Sequence, residues 1–221
     1  MDWRYNTIWF DQLEQDKVVI WNYKEKKKLP LSLDQEEYAI LWYYKKKEVA
    51  LEGIPPSDKL LYLGLHSANV QDLGGLQRFP GLKRLELHHC TKLEKDHGLL
   101  HPGNTIEYLH IDQSKKLQSI EEIAQLPHLK GLRLNDCGAL ESIAFLKGLP
   151  NLIDFRFVNT TVLDGDLTPI IDHPSLRSVG FFNKRHYNTT VQKMDAILAS
   201  KYQDDNKDFA YKGEFSTFRY K

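Results

Sequence analysis

The stretch Leu129-x-x-Leu132-x-Leu134-x-x-Cys137-x-x-Leu140-x-x-Ile143-x-x-Leu146-x-x-Leu149-Pro150 contains two hydrophobic periods in succession. Its first part alternates with period two, the pattern of a short strand with one face buried and one exposed. Its second part repeats every third residue, which suits a short 3₁₀ or helical turn. A segment that changes period within 22 residues cannot bury both sets of apolar side chains alone. It needs copies of itself stacked on either side.

The copies are present. Ile106, Leu109, Ile111, Ser114, Leu117, Ile120, Ile123, Leu126 and Pro127 form the preceding unit. Leu82, Leu85, Leu87, Cys90 and Leu93 form the one before that. Leu60, Leu63, Leu65 and Ala68 open the series, Leu152, Phe155, Phe157, Thr160 and Leu163 continue it, and Leu176, Val179, Phe181 and Lys184 form a degenerate last copy. Starts at 60, 82, 106, 129, 152 and 176 are 22 to 24 residues apart, and Pro80, Pro102, Pro127, Pro150 and Pro174 close most units.

This pattern resembles the leucine-rich-repeat family, from Leu60 to about Tyr187. The resemblance implies an α/β solenoid: a curved parallel sheet, short helical or 3₁₀ turns on the convex side, and caps at both ends. Residues 1–59 are expected to form an aromatic N-terminal cap, 60–187 about six repeats, and 188–221 a C-terminal helix and aromatic tail cap. The family signal speaks for fold and is nearly silent on function.

The ninth position of each unit (Ala68, Cys90, Ser114, Cys137, Thr160, Lys184) faces inward at the bend after the strand. Lys184 does not fit there, so the solenoid is expected to end at that copy. Both cysteines occupy this position two repeats apart. Strands about 4.8 Å apart put their Cα atoms roughly 9–10 Å from each other. That lies beyond the disulfide limit of about 7 Å, so both read as reduced core thiols.

All four tryptophans (Trp3, Trp9, Trp21, Trp42) precede the repeats. Val18–Tyr23 reads as a strand. Asp34-x-x-Glu37 ahead of Tyr38-Ala39-Ile40-Leu41 reads as a helix start, although the run Leu41–Tyr44 fits a strand equally well. At the other end, Thr189 or Thr190 is expected to cap an amphipathic helix through Val191, Met194, Ile197 and Leu198. Phe209, Tyr211, Phe215, Phe218 and Tyr220 follow, as a cap or as a partner-binding tail.

Composition narrows the function classes. Hydrophobic residues make up 41%, enough for a core. Lys+Arg and Asp+Glu balance at 30 each, which gives no electrostatic reason to expect nucleic acid or an anionic membrane. The lysines at 24, 26–28 and 45–47 read as solvated faces. No basic-then-apolar leader, span of about 18 apolar residues or lipidation box is visible, so a cytoplasmic monomer is expected. Phosphate-cradling glycine loops, G-x-S-x-G, H-E-x-x-H and C-x-x-C are absent from the sequence. No enzyme activity, cofactor or metal is expected.

In the family the third, fifth and seventh positions of each unit line the concave face. Here they include Tyr62, His66, Arg84, Glu86, His88, Tyr108, His110, Asp112, Arg133, Asn135, Asp154, Arg156 and Phe182, with no lysine. Tyr and Arg dominate interface hot spots and lysine is depleted there. The expected function is therefore a non-catalytic module that binds another protein across this face. Replacing Arg133 and Arg156 with alanine is expected to abolish binding with the melting temperature almost unchanged. His66, His88 and His110 fall on neighbouring strands near Glu86 and Asp112, and read as a hydrogen-bonding ladder rather than a metal site. Their titration would weaken binding to a basic partner below about pH 6. The segment Asn183-Lys184-Arg185-His186-Tyr187 is similar to small bacterial leucine-rich-repeat proteins of toxin–antitoxin neighbourhoods, which implies an immunity protein covering a toxin's active site. A delivered effector binding host proteins is a further class, without a visible catalytic domain or secretion signal.

Overall fold

A computed structural model describes residues 8–25, 32–45 and 50–201. Its centre is one sheet of eight parallel strands in which chain order is spatial order. The strands are β1 (Val18–Asn22), β2 (Tyr38–Trp42), β3 (Tyr62–His66), β4 (Arg84–His88), β5 (Tyr108–Asp112), β6 (Gly131–Asn135), β7 (Asp154–Arg156) and β8 (Ser178–Gly180). Each steps onto the next without changing register: Leu63 lies beside Leu85, Leu85 beside Leu109, Leu109 beside Leu132 and Leu132 beside Phe155. The chain is thus a repeat solenoid of about seven turns.

Register explains the core. The fourth and sixth positions of successive units form two continuous apolar rows, and Leu63, Leu65, Leu85, Leu87, Leu109, Ile111, Leu132, Leu134, Phe155 and Phe157 are all fully buried. Each such side chain contributes about 1.5–3 kcal/mol of transfer free energy. The expected turns on the far side are present as 3₁₀ segments at Leu76–Arg78, Ile123–Gln125 and Ala144–Gly148, and as α1 (Thr168–Asp172). The prolines serve a ladder of their own. In three units the residue before the new copy donates a side-chain hydrogen bond to the proline carbonyl one repeat back: Thr105 to Pro80 at 3.1 Å, Asn151 to Pro127 at 2.7 Å and Ser175 to Pro150 at 2.7 Å.

The ninth-position residues from Ala68 to Thr160 are buried as expected. Cys90 and Cys137 are free thiols, which burial pushes up to about 12. Both thiols, and the Thr160 hydroxyl, donate to the sixth-position carbonyl of the unit before: Leu65 at 3.7 Å, Ile111 at 3.4 Å and Leu134 at 2.7 Å. Lys184 turns aside, its Nζ donating to Thr161 Oγ1 at 2.6 Å.

The residue before the ninth is left-handed in six units: Tyr43, Ser67, His89, Gln113, Asp136 and Asn159 have φ between 49° and 59°. None is glycine, and this conformation costs an L-residue about 1–2 kcal/mol. The first five turn their N–H onto a carbonyl of the neighbouring unit at 2.8–3.0 Å, which offsets the strain.

The N-terminal segment departs from expectation. Tyr38–Trp42 is a strand, not a helix. Ala39 and Leu41 are fully buried in the same rows as Leu63 and Leu65. The Glu37 carbonyl, free to close a helical turn, instead accepts the N–H groups of Leu61 and Tyr62 at 2.8 and 3.0 Å. Its carboxylate is taken by Lys17 at 2.6 Å. Strand pairing on both sides outweighs a local helix start, and the segment set apart in the sequence adds two strands to the common sheet. Beyond β8, α2 (Val191–Lys201) buries Met194 and Leu198 and packs against β8. Thr190 Oγ1 accepts the N–H of Lys193 at 3.4 Å, and Asn183 Oδ1 that of Val191 at 2.8 Å. The aromatic tail from Phe209, Trp3 and most of the lysine clusters lie outside the described residues. No helix among the described residues is long and apolar enough to cross a membrane.

Candidate functional site

The third, fifth and seventh positions do share the sheet face opposite the core, but that face is not uniformly open. Tyr62, Arg84, Glu86, Tyr108 and Asp154, expected to be exposed, are buried. His66, His88, His110, Asp112, Arg133, Asn135 and Arg156 are half-buried, and Phe182 is 60% exposed. Long side chains on strands only about 4.8 Å apart cover one another, and the chain's own N-terminal segment covers the rest.

That segment folds back over β1–β3. Ile8, Phe10 and Leu13 join Tyr38, Ile40 and Tyr62 in a second apolar cluster, separate from the main core. The Phe10 ring meets Tyr62 edge-on at 5.2 Å. The Tyr62 side chain lies flat over Gly64, where a Cβ would sit 2.8 Å from its hydroxyl. This glycine lets Tyr62 reach Glu86 and donate to Oε2 at 2.9 Å.

Glu86 is the hub of the middle strands. Arg84 Nε donates to its Oε1 at 2.7 Å, and His88 Nε2 stands 3.1 Å from Oε2. Burial opposes the Glu86 charge, but the His88 hydrogen bond and the Arg84 guanidinium hold it well below the usual carboxylate range. The Arg84 guanidinium also lies 3.9 Å over the Tyr108 ring. Burial, with Glu86 beside it, raises the Tyr62 hydroxyl well above its ordinary value, and burial pushes Tyr108 up to about 12.

The three histidines form a ring ladder that extends further than the sequence suggested. Trp42 stacks on His66 at 4.2 Å, His66 on His88 at 4.7 Å, and His88 meets His110 edge-on at 4.8 Å. Trp42, read in the sequence as part of a cap, is the first rung. Burial pushes His66 down to about 4 and His110 down to about 3, with the neighbouring His88 adding to both shifts. Neither gains a proton near pH 6, which removes those two from the pH dependence expected there. Among the described residues, one group combines metal-ligating types closely: Glu86, His88 and His110, whose ligand atoms lie within 4.8 Å of one another.

Across β6–β8 the chemistry changes. Gly131 follows Tyr108 at the third position, and Asp154 follows Gly131, with no solvent exposure at all. Arg156 Nε donates to Asp154 Oδ2 at 3.0 Å, and Arg133 Nε stands 3.9 Å from the same oxygen. Burial pushes the Asp154 carboxyl up against the pull of Arg156 and Arg133. The Arg156 stem lies across Gly180, and its guanidinium donates to Ser178 Oγ at 3.3 Å. Tyr108 Oη and Asp154 Oδ1 are buried without a hydrogen bond of standard geometry. This arrangement argues against the expectation that replacing Arg133 and Arg156 with alanine leaves the melting temperature almost unchanged. Removing both strands a buried carboxylate without its cations.

In the segment Asn183–Tyr187, Asn183, Lys184, His186 and Tyr187 make structural bonds, and Arg185 is exposed. Besides the contacts of Asn183 and Lys184, His186 Nε2 pairs with the Val162 carbonyl at 2.9 Å, and Tyr187 Oη accepts the Val162 N–H at 3.1 Å. Set against known proteins, the chain matches no family model and no curated relative.

Proposed function

We propose that this protein is a leucine-rich-repeat-type, non-catalytic binding module that takes a partner protein on the C-terminal half of its strand face. The reading is carried by one observation: past Tyr108 the fifth-position arginines and Phe182 keep open surface above a buried Asp154. Arg133 and Arg156 keep 30% and 33% of their side-chain surface on adjacent strands, and the Phe182 ring beyond them is 60% exposed. An exposed aromatic beside fixed guanidiniums is the composition of an interface hot spot. Arg156 is held in place by its hydrogen bond to Asp154 at 3.0 Å, so a partner meets it at little further cost in side-chain entropy, and Arg133 stands 3.9 Å from the same carboxylate oxygen. An immunity protein that covers a toxin and an effector that binds host proteins are narrower forms of the same reading.

The test is affinity capture from cells of the native source with wild-type protein and with F182A. A specific partner retained by the wild type and lost by F182A, at equal melting temperature, supports the assignment. A partner retained equally by both removes this half of the face from it.

A further inference from the structure

We propose that Glu86, His88 and His110 form a binding site for a divalent transition-metal ion of the zinc class. The site follows from register. Glu86 on β4 lies directly opposite His110 on β5, and His88 stands two residues along β4 on the same face. One carboxylate oxygen and one ring nitrogen from each histidine converge within 4.8 Å. Zinc holds nitrogen and oxygen ligands at about 2.0–2.2 Å, so side-chain adjustments of the order of an ångström close the three onto one ion.

The surroundings support ligation. Glu86 Oε1 is committed to Arg84, while Oε2, which accepts the Tyr62 hydroxyl at 2.9 Å and faces His88 at 3.1 Å, keeps a further lone pair to meet the ion. The other ring nitrogen of His88, Nδ1, faces the Asp112 carboxylate at 3.8 Å. A ligating histidine whose second nitrogen points at a carboxylate is the usual outer-shell arrangement, because it fixes the ring and raises its basicity. The nearest competitor for His110 is the Asn135 amide at 3.5 Å, a contact long enough to give way. His88 and His110 both keep some solvent exposure, so an ion has a path of entry. Three protein ligands leave one tetrahedral position to water or a partner group. The Arg84 guanidinium beside Glu86 weakens the site relative to a four-ligand structural zinc centre, and its preference for borderline nitrogen-binding ions excludes magnesium and calcium.

Tag-free full-length protein titrated with cobalt(II) tests the site. The expected result is one equivalent bound, with a visible absorption band that zinc abolishes and magnesium does not. H88A and H110A each lower the affinity by at least about tenfold, and D112N by about ten- to a hundredfold. H97A, at an exposed histidine elsewhere, leaves it unchanged. Should a ligand variant fail to fold, the zinc-induced rise in the wild-type melting temperature, absent with magnesium, is the independent measure. No visible band and no thermal shift, or binding that survives in a folded H88A/H110A double variant, overturns the site.

Discussion

The two halves of the strand face are built by the same register and filled in opposite ways. Over β2–β4 the outward positions carry aromatics and histidines that stack on one another, beside the Arg84–Glu86 pair, and Phe10 and Leu13 pack over Tyr38, Ile40 and Tyr62. Over β6–β8 they carry glycines, arginines and one buried carboxylate, and the surface stays open around Phe182. A repeat fixes where side chains stand; whether that place is core or surface depends on how far each side chain reaches toward its neighbours.

The largest effect is expected from stripping the cations off Asp154. R133A/R156A should cost about 3–5 kcal/mol in chemical denaturation, because a fully buried carboxylate is left unpaired. Adding D154N should restore much of that loss, since a neutral amide tolerates burial better. A double variant as stable as wild type would show that the C-terminal half is not held from beneath.

Leu13→Ala should cost about 2–3 kcal/mol, as for a buried leucine whose site partly collapses. It should leave partner affinity intact, because Leu13 packs over β2 and β3 and not over β6–β8. A loss of binding with L13A would mean that the two halves act as one surface. Phe182→Ala is the converse. Its stability change should stay within about 0.5 kcal/mol, as for an exposed side chain, while partner affinity measured by calorimetry falls by about 2 kcal/mol.

The smallest effect concerns acid. His173 is 3% exposed beneath the C-terminal half, and burial holds it below its ordinary value. Its Nε2 meets the Leu146 carbonyl at 3.0 Å, and its Nδ1 accepts the Leu176 N–H at 3.2 Å. A histidine with a lowered folded pKa stabilises the fold above its unfolded value of about 6.5 and loses that contribution as pH falls below it. The drop in melting temperature between pH 7 and pH 5 should therefore be smaller in H173Q than in wild type. An equal drop would remove His173 as a source of acid sensitivity.

Much of this was legible in the sequence. The period-two and period-three segments place β3–β8 and the far-side turns, and the ninth-position residues identify the buried bend. Strand β1 was legible as Val18–Tyr23, but β2 was harder to read because Glu36 stands where a leucine would open a unit. The later positions of that unit, Ala39, Leu41 and Tyr44, do follow the template, 24 residues ahead of Leu63, Leu65 and Ala68. Matching those positions alone would have found β2. The left-handed residues could not be read, since Tyr, Ser, His, Gln, Asp and Asn share no local preference strong enough to announce it. In the first five their conformation is favoured by the carbonyl waiting on the next unit.

The sequence by itself determined the repeat, its register and which side chains form the two apolar rows, because burial at a fixed period is a property of single positions. Only the tertiary structure decided how the opposite face is used. Tyr62, Arg84, Glu86, Tyr108 and Asp154 are buried by side chains 22 or more residues away and by a segment folding back from the N-terminus. Such burial depends on contacts between units, which no single unit encodes.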